Sequence, residues 1–228
     1  MYMRIIETKD LHKYYYENHV KTDVLNGINL SINQGEFVSV VGPSGSGKTT
    51  LLYVLSGLEK KTKGSIKLFE KEIEEYSDHE MARLRQTKIG FIFQFYNLLP
   101  NLTVYDNILL AQVLANNSNK QRIEELLNYV GLANFRNYYP NQLSGGMQQR
   151  VAIARALVNN PAIIFADEPT GNLDVKNGLA IMELLQKLNQ ELHKTIVLVT
   201  HNEDLIKYGT RYLRLIDGVI IDDEIISK

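Results

Sequence analysis

Largely apolar runs recur along the chain at Phe37–Val41, Ile89–Phe93, Ala162–Ala166 and Thr195–Thr200. Each is too short for a helix core and rich in branched or aromatic side chains, so each reads as a strand. Ala162–Ala166 and Thr195–Thr200 have no exposed-face alternation, which suits central parallel strands covered on both sides. Ile28, Leu30 and Ile32 do alternate with polar residues and predict a half-buried strand, and Ser65–Phe69 predicts another. Helical signals lie between these runs. Thr50–Leu55 follows the first of them, and Ser77-Asp78-His79-Glu80 is a capping-box start for a short helix through Leu84. Ile123, Leu126, Leu127 and Val130 share one helical face, with Gly131 as the stop. Ile181, Leu184, Leu185 and Leu188 mark a crossover helix between the two central strands. Near the end, Asp217-Gly218 joins Tyr212–Ile216 to Val219–Ile221 as a hairpin. Strands alternating with helices predict an α/β fold, and residues 94–158 read mostly helical, as an inserted subdomain.

Composition narrows the chemistry. The chain has 228 residues and 44% hydrophobic content, enough for one domain with a subdomain. Its 25 basic and 26 acidic residues create no global field for nucleic acid or anionic lipid, so no nucleic-acid partner is expected. Cysteine is absent, which removes disulfides and thiolate metal sites from consideration. Met1–Glu7 lacks the apolar stretch of a signal peptide, and no apolar run approaches the roughly 20 residues that span a bilayer. A cytoplasmic location is expected, with any membrane role arising through a partner.

The chemistry is concentrated in three stretches. Gly42-Pro43-Ser44-Gly45-Ser46-Gly47-Lys48-Thr49 lies between a predicted strand and a predicted helix, which is the setting of a phosphate-binding loop. Its glycines let backbone N–H groups converge on phosphate oxygens, and the helix start at Thr50 adds positive potential. Lys48 would reach the outer phosphates and the Thr49 hydroxyl would ligate Mg²⁺. Ile163–Glu168 is a buried strand ending in two carboxylates. Asp167 can hold the metal, and Glu168 can orient and deprotonate the attacking water. Adjacent acids at a strand end otherwise just begin a solvated turn; pairing with a phosphate loop reverses that preference. The third stretch is Leu143-Ser144-Gly145-Gly146-Met147-Gln148-Gln149-Arg150, in which Ser144 caps a helix behind two glycines. A second anion-binding helix start in a chain that already has one departs from an ordinary capped helix.

With those motifs in register, the sequence resembles the nucleotide-binding subunits of ABC transporters over nearly its whole length. The resemblance implies a P-loop NTPase core with a mostly parallel sheet flanked by helices, an N-terminal antiparallel β region and a helical signature subdomain. Residues 1–93 and 159–228 would form the β region and RecA-like core, and about 94–158 the subdomain. Leu143-Ser144-Gly145-Gly146 is similar to the family signature, with Met147 where Gln is frequent. By the same resemblance Gln94 falls at the Q-loop, sensing Mg²⁺ and the γ-phosphate. Asn172-Leu173-Asp174 is similar to the D-loop, with Asn172 where Ser or Ala is usual, and Asp174 joins the nucleotide-binding set. His201 matches the switch histidine that contacts the γ-phosphate. Among Tyr14, Tyr15 and Tyr16, any of which has a face for a purine, Tyr15 aligns best with the adenine-stacking position. The stretches Thr22–Leu25, Gly90–Pro100 and Ala166–Asp174 most resemble the ATPases of lipoprotein-releasing, macrolide-exporting and bacitracin-type peptide-resistance systems.

The resemblance implies an ATPase binding ATP and Mg²⁺, a head-to-tail dimer with a second copy of the chain, and an integral membrane permease as partner. It would sit on the inner face of the cell membrane and drive export or extraction. Three alternatives stay open: a soluble non-transport ABC ATPase, the ATPase of a solute importer, and a small phosphate-loop kinase. A further expectation comes from charge. From Ile89 to Asn119 Asp106 is the sole charged side chain, and the loop Tyr96–Thr103 is expected to form a groove for the permease.

Overall fold

A computed structural model describes residues 3–17 and 20–226. The chain opens with β1 (Arg4–Glu17), β2 (Val20–Asn33), β3 (Phe37–Val41), α1 (Lys48–Leu55), β4 (Lys63–Leu68) and β5 (Lys71–Glu72). Then come α2 (Asp78–Thr87), β6 (Ile89–Phe93), α3 (Val104–Leu114), α4 (Lys120–Tyr129) and α5 (Gly145–Leu157). It closes with β7 (Ile163–Asp167), α6 (Val175–Leu192), β8 (Thr195–Thr200), β9 (Arg211–Ile216) and β10 (Val219–Ile225). One sheet is antiparallel, in the order β2-β1-β4-β5; the other has the order β10-β9-β3-β8-β7-β6. Within the second sheet β9, β3, β8, β7 and β6 all pair in parallel, and β10 alone runs antiparallel.

The apolar runs are continuous because the large sheet is covered on both sides. Ile164 and Ala166 of β7, with Ile196 and Leu198 of β8, face a core shared with α3, α4, α5 and α6. The residues between them, Ile163, Phe165, Val197 and Val199, face the antiparallel sheet, α1 and α2. Period-two alternation is therefore present in these strands, hidden because both faces are apolar. Ile28, Leu30 and Ile32 are buried as expected, on β2 of the antiparallel sheet.

Local signals mark the boundaries. Ser77 and Glu80 form the full capping box of α2, which runs on to Thr87, one turn beyond the expected Leu84. Asp217 and Gly218 both have positive φ, 47° and 75°, as a two-residue hairpin turn requires. The geometry that matters for function lies at one end of the sheet. β3, β8, β7 and β6 are adjacent and parallel, so the loops following their C-terminal ends converge along one edge. In open parallel sheets that edge is where ligands bind. Thr49 follows β3, His201 follows β8, Asp167 ends β7, and Gln94 follows β6.

Candidate functional site

The loop between β3 and α1 is shaped by close packing as well as by ligand chemistry. A Cβ on Gly42 would lie 2.1 Å from the Leu215 carbonyl oxygen, and one on Gly47 2.7 Å from that of Val24. Both positions therefore exclude any side chain, whereas Gly45 opens onto free space with φ +80°. Pro43, Ser44 and Gly45 are exposed at the loop's tip, and Ser46 is buried with its hydroxyl unpartnered. Gly47 caps α1 in the left-handed region without any side-chain acceptor, and no acidic residue occupies the first turn. The first turn of the helix thus contributes no carboxylate of its own that would compete with an anion.

Lys48 is buried, its ammonium donating to the Gly42 and Pro43 carbonyls at 2.9 and 2.7 Å. Burial pulls its pKa down, and the nearby charges of Glu168 and Asp167 offset part of that. Asp167 is held by two hydroxyls of α1. Thr49 Oγ1 donates to Oδ1 at 2.9 Å, and the Tyr53 phenol donates to Oδ2 at 3.2 Å. Burial raises the Tyr53 pKa, and the Asp167 charge and hydrogen bond add to it. No group of three or more His, Cys, Asp or Glu that could hold a metal occurs among the described residues. Mg²⁺ fits nonetheless, since it prefers hard oxygen donors and takes few of them from protein beside a phosphate. Thr49 and Asp167 form such a pair.

Glu168 follows immediately, with φ +47°, a left-handed conformation costing a non-glycine residue about 1–3 kcal/mol. Its backbone N–H is fixed to the Val199 carbonyl of β8 at 3.0 Å, which anchors the main chain from which the side chain projects. Oε1 lies 2.9 Å from His201 Nδ1, and Oε2 is buried without a partner. A buried carboxylate oxygen with an unused lone pair is suited to accept a proton from water. His201 is solvent-accessible apart from this contact, 63% of its side chain being exposed.

The remaining candidates have other partners. Gln94 donates its amide to Asn172 Oδ1 at 3.3 Å, and Asn172 donates back to the Gln94 carbonyl at 3.0 Å. The Gln94 side chain is thus turned to residues 171–172 and makes no hydrogen bond to Asp167 or Thr49. Ser144 caps α5, its hydroxyl accepting from the Met147 N–H at 3.4 Å. A Cβ on Gly145 would lie 2.8 Å from the Tyr96 hydroxyl, and one on Gly146 2.7 Å from Asn177 Oδ1. Asp174 caps α6: Asn177 supplies a backbone N–H at 2.9 Å and an amide at 2.7 Å, holding the carboxyl below its usual range. Neither Ser144 nor Asp174 bonds to the phosphate loop of its own chain. Tyr15 lies beside α1, donating to Glu59 at 2.5 Å, with its ring under the Lys13 ammonium. Burial pushes its phenol pKa up and Glu59 adds to this, while Thr50 acts the other way.

Sequence reasoning missed three residues. Tyr53 carried a readable signal, since it stands four residues after Thr49 on the same helical face. Asn172 was noticed only as a departure. Gln149 is fully buried and donates to the Pro169 carbonyl at 2.8 Å and the Phe93 carbonyl at 3.4 Å. It ties α5 to both the Glu168 and the Gln94 segments, a role visible only in three dimensions.

Residues 25–171 match the family model described as ABC transporter. The chain belongs to that family. Among ABC relatives, it is 44% identical to the lipoprotein-releasing system ATP-binding protein LolD of Cytophaga hutchinsonii, covering 95% of this chain and 99% of that one. It is 45% identical to the macrolide export ATP-binding/permease protein MacB of Bdellovibrio bacteriovorus, over 96% of this chain and 34% of the longer relative. The structure superposes with a TM-score of 0.89 on the cassette MJ0796 of Methanocaldococcus jannaschii, solved as a dimer in a post-hydrolysis state bound to ADP and Pi. That match has 42% identity and covers 98% of this chain and 99% of the other. The α/β architecture and the likeness to lipoprotein-releasing and macrolide-export ATPases accord with expectation.

Proposed function

We propose that this chain is the ATP-hydrolysing subunit of an export- or extraction-type ABC transporter. The observation that carries the reading is the convergence at the sheet edge: Lys48 and the free start of α1, Asp167 bonded to Thr49, and Glu168 bonded to His201. Gly42–Thr50 would cradle the triphosphate, and Lys48 would turn from its own loop carbonyls to the outer phosphates. Thr49 and Asp167 would hold Mg²⁺, which supplies neutralisation of charge on the phosphate oxygens. Glu168 takes the proton of the attacking water on its unpartnered oxygen, and His201 fixes the other oxygen. Tyr15, exposed beside Thr50, stacks the adenine.

The helix start at Ser144–Gly146 makes no hydrogen bond to the phosphate loop of its own chain, which supports its serving the site of a second copy. A head-to-tail pair then encloses two ATP molecules. Hydrolysis removes the bridging γ-phosphate and reopens the pair. Among the described residues no helix is long and apolar enough to cross a membrane. The likeness to LolD and to the ATP-binding part of MacB supports a place at the inner face of the membrane, bound to a permease.

The loop Tyr96–Thr103 leaves Leu99 exposed, while Leu98 packs partly buried against the core. The docking face takes in this loop and the cleft next to it. The apolar cleft beside it, about 440 Å³, is lined by Ala82 and Arg85 of α2, Phe91 and Phe93 of β6, and Ala111 and Leu114 of α3. Phe95, 74% exposed and two residues beyond Phe93, lies next to the Gln94 switch. Phe95→Asp should spare ATP hydrolysis by the isolated chain and end copurification with the permease; retained copurification would place the interface elsewhere.

The direct test of the reading is Glu168→Gln. ATP binding should persist while hydrolysis slows by roughly a hundred-fold or more. ATP-bound dimers should accumulate on a sizing column. Normal turnover in this variant would remove Glu168 from the mechanism.

A further inference from the structure

We propose that Tyr53 is a positioning residue for the metal, fixing the rotation of the Asp167 carboxylate so that it meets the ion in one orientation. This role rests on the reading of Asp167 as the metal-holding carboxylate. Thr49 and Tyr53 are four residues apart on α1, so their side chains stack on one face of the helix. That face looks at the end of β7. The two hydroxyls are divided between the two oxygens of a single carboxylate, Thr49 on Oδ1 at 2.9 Å and Tyr53 on Oδ2 at 3.2 Å.

A carboxylate held by one hydroxyl can still turn about its terminal torsion, whose preference is broad. Two donors, one to each oxygen and both from one rigid helix, remove that freedom. The Tyr53 ring supplies the rigidity, since it packs partly buried against the core beneath the antiparallel sheet. Its hydroxyl is therefore anchored by packing as well as by the bond it makes. When Thr49 Oγ1 also ligates the metal, its proton remains free to donate elsewhere, and the Tyr53 bond to Oδ2 is independent of that change. The phenol thus keeps Oδ1 presented towards Thr49 throughout. Outer groups that orient a ligand in this way commonly tune metal affinity.

The bland alternative is that Tyr53 is a core residue whose hydroxyl happens to find an acceptor. The two make different predictions about metal. In full-length chain, ATP binding is measured without metal and then with Mn²⁺, free Mn²⁺ being followed by electron paramagnetic resonance. Tyr53→Phe removes one oxygen atom and keeps the ring. It should leave metal-free ATP affinity and the melting temperature unchanged, and raise the Mn²⁺ concentration needed for half-saturation by roughly three- to ten-fold. Hydrolysis should recover at saturating Mg²⁺. Tyr53→Met, which lacks both ring and hydroxyl, should show at least the same metal shift. Asp167→Asn separates the two levels of the argument. If it retains wild-type metal dependence, the metal reading of Asp167 fails. If it loses that dependence while Tyr53→Phe matches wild type, the positioning role of Tyr53 is overturned. It is equally overturned if Tyr53→Phe and Tyr53→Met weaken metal-free and metal-dependent binding alike.

Discussion

The two glycine-rich helix starts, at α1 and at α5, look alike in sequence and differ in everything around them. Both lack an acidic residue in the first turn, whereas α2 and α3 fill theirs with Glu80 and Asp106. Both are therefore electrostatically open to an anion. The α1 start has a left-handed glycine as its cap and is surrounded by Lys48, Thr49, Asp167, Tyr53 and Glu168. The α5 start is capped by its own Ser144, and its close neighbours are Tyr96, Leu173 and Asn177. In the proposed reading one end holds the groups for hydrolysis and the other holds donors alone, so the site is divided between two surfaces. Two copies related by a two-fold axis would then supply both halves twice.

The largest expected effects come from attacking the two starts separately. Lys48→Ala removes a charged donor to phosphate and should weaken ATP binding by the single chain roughly ten- to hundred-fold. Ser144→Asp is the matching probe at α5. Aspartate caps as well as serine, so the melting temperature should hold, but its charge would repel an arriving triphosphate. ATP affinity of the single chain should be unchanged, and ATP-dependent pairing in the Glu168→Gln background should be lost. The absence of cysteine allows a direct reading of the same contact. Gly146 is unsuitable as a probe because a Cβ there meets Asn177, and Ser46 is buried; Ser44 and Ser144 are exposed. Cysteines at Ser44 and Ser144 on separate chains should crosslink with ATP and not without it. Weakened single-chain binding in Ser144→Asp, or crosslinking indifferent to ATP, would break the division.

The sequence made one of these starts more legible than the other. Phe37–Val41, the phosphate loop and α1 are contiguous, so periodicity and glycine spacing sufficed. The same locality made the capping box of α2, the Asp217-Gly218 hairpin and the crossover helix α6 readable. What escaped depends on contacts between distant segments. The demand for glycine at 42 and 47 comes from the Leu215 and Val24 carbonyls, which no local pattern reveals. Gln149 reads as one more polar residue on a helix, yet it is fully buried between the Gln94 and Glu168 segments. The uncharged stretch 89–119 pointed to docking at Tyr96–Thr103, but not to the exposure of each side chain along it. Only packing separates buried Ile108 and half-buried Leu98 from exposed Phe95.

The smallest expected effect concerns how the two starts are joined inside one chain. Gln94 and Asn172 exchange two amide bonds, at 3.3 and 3.0 Å, and Tyr96, two residues beyond Gln94, packs against Gly145. Gln149 binds the Phe93 and Pro169 carbonyls from α5, closing a path from Glu168 through Gln94 to the signature helix. If that path transmits the state of the nucleotide, loosening it should impair turnover without impairing binding. Asn172→Ala deletes both amide bonds of the clasp. Each is solvent-exposed and worth about 0.5–1.5 kcal/mol at most, so the change in kcat should be roughly three- to ten-fold, with KM for ATP unchanged. Asn172→Gln, whose longer amide keeps both a donor and an acceptor, should recover part of the loss. A parallel rise in KM would mean that the clasp shapes the binding site itself. An unaltered kcat would mean that the two helix starts communicate only across the paired chains.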